Sequence, residues 1–131
     1  MILFTGSCIY GQGGVSRSDE NISYPRRIFA DIDQLSRIAV TARNTYLLKE
    51  NGEVLSCGSN DEGELARQGK RSVFHRIDSL EAFKISDLNA GDGYALFLKS
   101  DGKMLGFGHQ NEFGQLGCGD REPRRMPRPI T

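Results

Sequence analysis

Two stretches of this chain repeat the same order of apolar and polar positions at a separation of fifty residues. The runs Thr45 to Lys49 and Glu53 to Cys57 flank Asn51-Gly52, and the runs Ala95 to Lys99 and Lys103 to Phe107 flank Asp101-Gly102. Leu48, Lys49, Gly52, Leu55 and Gly58 return as Leu98, Lys99, Gly102, Leu105 and Gly108. Runs of that length around Asn-Gly or Asp-Gly read as β-hairpins closed by a two-residue type I′ turn, with positive φ at both central positions. The runs are apolar almost throughout, which predicts strands buried on both faces, as sheets stacked face to face require.

The correspondence extends on either side. Ile38 to Thr41 and Leu88 to Gly91 read as short strands leading into each hairpin, and Phe29 to Arg37 and Asp78 to Ser86 as a turn of helix or an irregular crossing. After the hairpins, Gly58 to Leu65 matches Gly108 to Gly117 with one inserted residue, and the extended segments His75 to Ile77 and Pro127 to Ile130 follow. A partial copy opens the chain: Ile2 to Gly6, then Gly11-Gln12, then Pro25 to Ile28. Gly6, Gly58 and Gly108 therefore stand 52 and 50 residues apart. A period of this size signals a repeat architecture in which no unit buries its own faces. The chain divides into a partial repeat at 1–37, a repeat at about 38–87 and an incomplete repeat at about 88–131, all within one repeat domain. It starts and stops at nearly the same phase, inside a four-strand unit, as expected where a ring closes by building one blade from both ends.

These residues resemble the repeat of the regulator of chromosome condensation family. Ala90-Gly91, Asp101-Gly102, Phe107-Gly108 and Gly114-Gln115-Leu116-Gly117 follow its pattern closely; Asn51-Gly52, Gly58-Ser59-Asn60 and Gly63-Glu64-Leu65 follow it less completely. The family's histidine position is Asn44 in one copy and Tyr94 in the next, and its tryptophan position is Cys57 and Phe107. With no tryptophan anywhere, a light-sensing role like that of the plant ultraviolet receptor is excluded. Kelch repeats have a similar period, but Gly13-Gly14 is the only glycine doublet here. The resemblance implies an all-β fold: about two to three four-stranded antiparallel blades of a β-propeller ring of about seven blades. The remaining blades would come from the rest of a longer chain or from another copy, because an arc of a few blades leaves apolar end faces bare.

Composition narrows the function. Sixteen glycines in 131 residues exceed the usual share of about 7% and suit many tight turns; Gly52, Gly58, Gly63, Gly102, Gly108 and Gly114 are read as structural turns. No GxxxxGK[ST] loop is present, so they are not read as a phosphate cradle. Lys plus Arg equals Asp plus Glu at 17 each, which gives no global field for nucleic acid or an anionic membrane, and neither is an expected partner. No apolar run approaches the roughly twenty residues of a spanning helix, and no secretory signal is readable.

Cys8, Cys57 and Cys118 lie tens of residues apart without zinc-ligand spacing, so they read as reduced thiols of an intracellular protein, cytoplasmic or nuclear. The carboxylates Asp31, Asp33, Asp61, Glu62 and Glu64 and the histidines His75 and His109 form no acid–base, nucleophile or metal constellation. No catalytic residue, cofactor or metal is assigned, and the chain is not read as an enzyme. Two basic clusters remain: Arg67, Lys70 and Arg71, and the proline-stiffened run Arg121, Arg124, Arg125 and Arg128. They fall at one phase of the repeat, so they are expected on one face of the disc, as the best interaction surface. The expected function is a non-catalytic scaffold binding a protein partner through loops on one propeller face. The resemblance adds an alternative, guanine-nucleotide exchange on a Ran-like small GTPase.

Overall fold

The computed structural model describes residues 1–14, 21–27 and 34–130. Within them the chain runs β1 (Leu3–Gly6), β2 (Ile22–Arg27), β3 (Leu35–Val40), β4 (Asn44–Lys49), β5 (Val54–Gly58), β6 (His75–Arg76), a single 3₁₀ turn (Asp78–Leu80), β7 (Ile85–Gly91), β8 (Tyr94–Lys99), β9 (Met104–Gly108) and β10 (Arg124–Pro129). Ile28, Asp31 and Asp33, together with the first part of the proposed crossing at Phe29 to Arg37, lie outside the described residues.

The strands form three antiparallel sheets, β1-β2, β3-β4-β5-β6 and β7-β8-β9-β10. The two four-stranded sheets repeat the same pairing of their first three strands, including one irregularity. Leu35 pairs with Lys49 and Arg37 with Leu48; Ile85 pairs with Lys99 and Asp87 with Leu98; the register slips by one residue at the same place in both. At the other end the Ile77 amide donates to the Val54 carbonyl at 2.8 Å, and the Ile130 amide donates to the Met104 carbonyl at 2.9 Å. These are blades of a β-propeller, stacked face to face.

Burial shows how the blades hold together. Tyr46, Leu48 and Val54 of the second sheet pack against Ala95, Phe97, Leu105 and Phe107 of the third, with Ile77, Leu80, Ile85 and Leu88 closing the ends of this core. The Phe97 and Phe107 rings stack with centroids 5.6 Å apart, and Tyr46 meets Phe107 edge-on at 6.2 Å. A second cluster joins the first two sheets, in which Leu47, Cys57 and Phe74 are buried with Ile2, Phe4, Leu35 and Leu55 against them. Period-two alternation along β4 and β5 thus sends successive side chains into two different cores. Inner strands β3 and β7 are joined across the blade boundary by the exposed Arg37–Asp87 ion pair at 2.8 Å. An exposed pair of this kind contributes under about 1 kcal/mol, so apolar burial, not charge, joins the blades.

Two expectations are corrected. The hairpin loops are not two-residue type I′ turns. Lys49 N–H donates to Glu53 C=O at 2.9 Å and Gly52 N–H to Lys49 C=O at 3.0 Å, and Lys99, Lys103 and Gly102 repeat both bonds at 2.8 and 2.9 Å. Each loop therefore has three residues, a turn followed by one left-handed glycine, Gly52 at φ 90° or Gly102 at φ 83°. Asn51 and Asp101 keep negative φ and act through their side chains, whose Oδ1 atoms accept from the amides of Glu53 and Lys103 at 3.0 Å each. That amide, helped by Lys99, holds the Asp101 carboxyl below its ordinary range.

The second correction concerns burial on both faces. It describes β4, whose residues Asn44 to Leu48 are all buried, but not β8, where Ala95 and Phe97 are buried and Tyr94, Leu96 and Leu98 are only partly covered. β4 lies between two sheets; among the described residues β8 has a sheet on one side only.

Candidate functional site

The loops that follow β5 and β9 carry the residues singled out in the sequence, and one hydrogen-bond plan shapes both. Asn60 Oδ1 accepts the Leu65 amide at 3.1 Å, and Asn60 Nδ2 donates to the Arg67 carbonyl at 3.1 Å. The fully buried Asn111 does the same, accepting from Leu116 N–H at 3.0 Å and donating to the carbonyls of Asp120 and Glu122 at 3.2 and 2.8 Å. In the opening partial copy Cys8 takes the asparagine's place, its Sγ accepting the Gly13 amide at 3.3 Å. Gly63 and Gly114 close these loops by donating to the Asn60 and Asn111 carbonyls. Loop shape is thus fixed by satisfied backbone groups rather than by a core of its own.

A second position recurs in all three copies. Gln12 Oε1 accepts from Tyr10 N–H at 2.9 Å, Gln115 Oε1 from Phe113 N–H at 3.0 Å, and Glu64 Oε2 from Glu62 N–H at 2.9 Å. Glu64 is buried and also accepts from Ser59 Oγ at 3.1 Å. The Tyr46 hydroxyl donates to its carbonyl at 2.6 Å. Burial, then the neighbouring Glu64 charge, pushes the Tyr46 phenol well above its ordinary range. Because the other two copies use an amide here, Glu64→Gln is expected to change stability by less than about 1 kcal/mol in chemical denaturation, despite the burial. A loss of several kcal/mol would show that the buried charge itself is required.

The basic residues separate into two kinds. Arg67 is half-buried and committed inward. Its Nη2 donates to the carbonyls of Ser56, Lys70 and Val73 at 2.7, 3.1 and 2.8 Å, its Nε to Ser56 Oγ at 3.2 Å and its Nη1 to the Gln68 carbonyl at 3.0 Å. Desolvation lowers its pKa. Arg67 therefore ties the loop to β5. Arg124, with its side chain mostly covered, is ion-paired to Asp120. Arg71 and Arg124 occupy equivalent places: the Gly58 amide donates to the Arg71 carbonyl, and Arg124 is the register partner of Gly108. Arg71 is exposed and pairs with Asp61 at 3.1 Å. Lys70, Arg121, Arg125 and Arg128 are exposed.

The two loops follow equivalent strands, β5 and β9, and carry Lys70 and Arg71 in one and Arg121 in the other. Arg125 goes elsewhere. The stem of Arg125 packs over Gly63, where a methyl group would lie 3.3 Å from its Cγ. It thereby becomes a wall of a cleft of about 940 Å³ between the outer parts of the second and third blades. Arg67, His75, Arg76, Ser79 and Met126 also line this cleft. In the sequence His75 and Arg76 read as part of an extended segment, and Ser79 and Met126 carry no signal; nothing local indicates that a two-residue strand will face the next blade.

Other titratable groups have structural settings. Burial raises the Cys57 thiol well above its usual range, and Cys8, Cys57 and Cys118 are unbridged. Among the described residues no group of three or more His, Cys, Asp or Glu is placed to hold a metal ion, and no helix is long and apolar enough to cross a membrane.

Comparison with known proteins places this geometry. The sequence model for the Regulator of chromosome condensation (RCC1) repeat matches residues 85–115. The human X-linked retinitis pigmentosa GTPase regulator is 32% identical over 130 residues, 96% of this chain and 12% of that protein. The human probable E3 ubiquitin-protein ligase HERC6 is 33% identical over 89 residues, 66% of this chain and 9% of that protein. Among solved structures, Prp20p from Saccharomyces cerevisiae, studied for its binding to Gsp1p and histones, superposes with a TM-score of 0.84 at 19% identity, covering 98% of this chain and 34% of that one. Human WBSCR16 superposes with a TM-score of 0.77 at 18% identity, over 97% and 34%. The chain therefore spans about an eighth or less of these curated relatives and about a third of the solved chains.

Proposed function

This chain carries the repeat of the regulator of chromosome condensation family, and from that premise we propose that it is a non-catalytic interaction scaffold whose loop face binds a protein partner. One observation carries the reading: equivalent loops of adjacent blades follow β5 and β9 and carry exposed Lys70, Arg71 and Arg121. Rigid strands with variable loops are the usual way a repeat scaffold presents a binding surface. An acidic partner surface suits Lys70 and Arg121, and Arg71 can exchange its exposed pairing with Asp61 for a partner's carboxylate. An intracellular setting fits the unbridged cysteines, and one repeat domain completed by further blades fits the sheet pattern.

The test is charge reversal at Lys70, Arg71 and Arg121 together. Capture of partners by the completed propeller is expected to fall by about tenfold or more, with the melting temperature nearly unchanged because the side chains are exposed. Unchanged capture would remove this face from the proposal.

The similarity to a GTPase regulator, and to Prp20p with its binding to Gsp1p, supports a second reading, guanine-nucleotide exchange on a Ran-like small GTPase. Release of a fluorescent guanine nucleotide from Ran and other small GTPases separates the two. Acceleration at micromolar concentrations of the chain would favour exchange; its absence would leave the scaffold.

A further inference from the structure

The cleft between the second and third blades adjoins the loop that carries Lys70 and Arg71, with Asn60, Gly63, Gln68 and Gly69 of that loop in its lining, and its charge is poorly balanced. Its walls include Arg67, Arg76, Arg125 and His75, against one lining carboxylate, Asp78. Asp78 is already taken: Arg76 Nε bonds it at 3.0 Å, and Arg76 Nη1 also reaches Glu53 and Glu81 at 3.7 and 3.4 Å. That leaves two guanidinium groups without a carboxylate partner among the described residues. Arg67 donates only to carbonyls and a hydroxyl, and Arg125 has no polar partner among the described residues. A half-buried cation held by carbonyl dipoles alone still has its whole charge to be matched from the cleft side.

Two further features suit a chain-like occupant. β6 is the outer edge of its sheet and carries His75 and Arg76 along the wall, so an extended segment can lie beside it. Met126, half exposed, supplies an apolar wall.

We infer that this inter-blade cleft binds an acidic, extended segment of a protein partner, with Arg125 and Arg67 meeting its carboxylates and Met126 an apolar side chain between them. The inference rests on the scaffold reading for the existence of a partner but uses side chains other than Lys70, Arg71 and Arg121, so either can fail alone. Arg125 is the discriminating residue, because Arg67 also holds its loop.

The probe is a fluorescein-labelled peptide of about ten residues alternating glutamate and leucine, measured by anisotropy against the 131-residue chain. Saturable binding is expected, weakened by about tenfold or more in Arg125→Glu and within about twofold of normal in the Lys70, Arg71 and Arg121 charge-reversal variant. A glutamine-for-glutamate peptide is expected not to bind. Met126→Asp, a second exposed change on the same wall, is expected to weaken binding if Arg125→Glu proves unfolded by circular dichroism. Absence of saturable binding overturns the proposal. Equal loss in the loop variant would mean diffuse attraction and also overturns it. So would displacement by inorganic phosphate at the peptide's own concentration, which would make this a site for a compact anion.

Discussion

Phe107→Ala is expected to destabilise the chain by about 3–5 kcal/mol, enough to leave it largely unfolded if its total stability is near the low end of the usual range. The side chain is fully buried between the second and third blades, stacked on Phe97 and edge-on to Tyr46. Truncation removes the transfer free energy of a phenyl ring and leaves a cavity whose walls belong to two sheets that cannot easily collapse toward each other. Phe107→Leu keeps most of the volume and is expected to cost markedly less, on the order of 1–2 kcal/mol. Urea titration followed by circular dichroism reads both. A loss below about 1 kcal/mol for the alanine variant would mean that the two blades are not pressed together at this ring.

Gly58→Ala and Gly108→Ala are expected to be as damaging, at about 3 kcal/mol or more each, for a reason of backbone rather than packing. Gly58 has φ 118° and Gly108 φ 146°, where an L side chain is strained. A methyl on Gly58 would sit 2.1 Å from the Arg43 carbonyl oxygen, and one on Gly108 2.3 Å from that of Gly93. In both, the strand end presses on the turn before the hairpin's first strand, so the obstacle is main chain that cannot rotate away. Gly6, at the equivalent phase, has φ 119° but, among the described residues, nothing within 4 Å of the added methyl. Gly6→Ala is therefore expected to cost only the conformational part, about 1–2 kcal/mol. Equal losses at all three positions would show that φ alone, and not the contact with Arg43 and Gly93, makes the glycine necessary.

Much of this fold was legible because its signals are local. Asn-Gly and Asp-Gly between apolar runs marked the hairpins, the spacing of Gly6, Gly58 and Gly108 marked the period, and the match of Gly58 to Leu65 with Gly108 to Gly117 marked the loops. The hairpin loops were misjudged by one residue. The Asn51 side chain caps the Glu53 amide and so keeps its own φ negative, a choice between two turns that the dipeptide does not decide. The basic clusters were legible as clusters but not as roles. Arg67 and Lys70 look alike in sequence, yet one guanidinium is folded onto the carbonyls of Ser56, Lys70 and Val73 while the other side chain is in solvent.

The order of residues along the chain is sufficient for the repeat, its strands and its turns, since each depends on neighbours within a few positions and on the alternation of side chains across a pleated strand. What the folded molecule alone decided is which faces meet and which charges remain unmatched. Arg125 and the Gly63 loop are some sixty residues apart in the chain and come together only because one blade stacks on the next. Burial between blades is set by partners distant in sequence, and so is the balance of charge in the cleft they enclose.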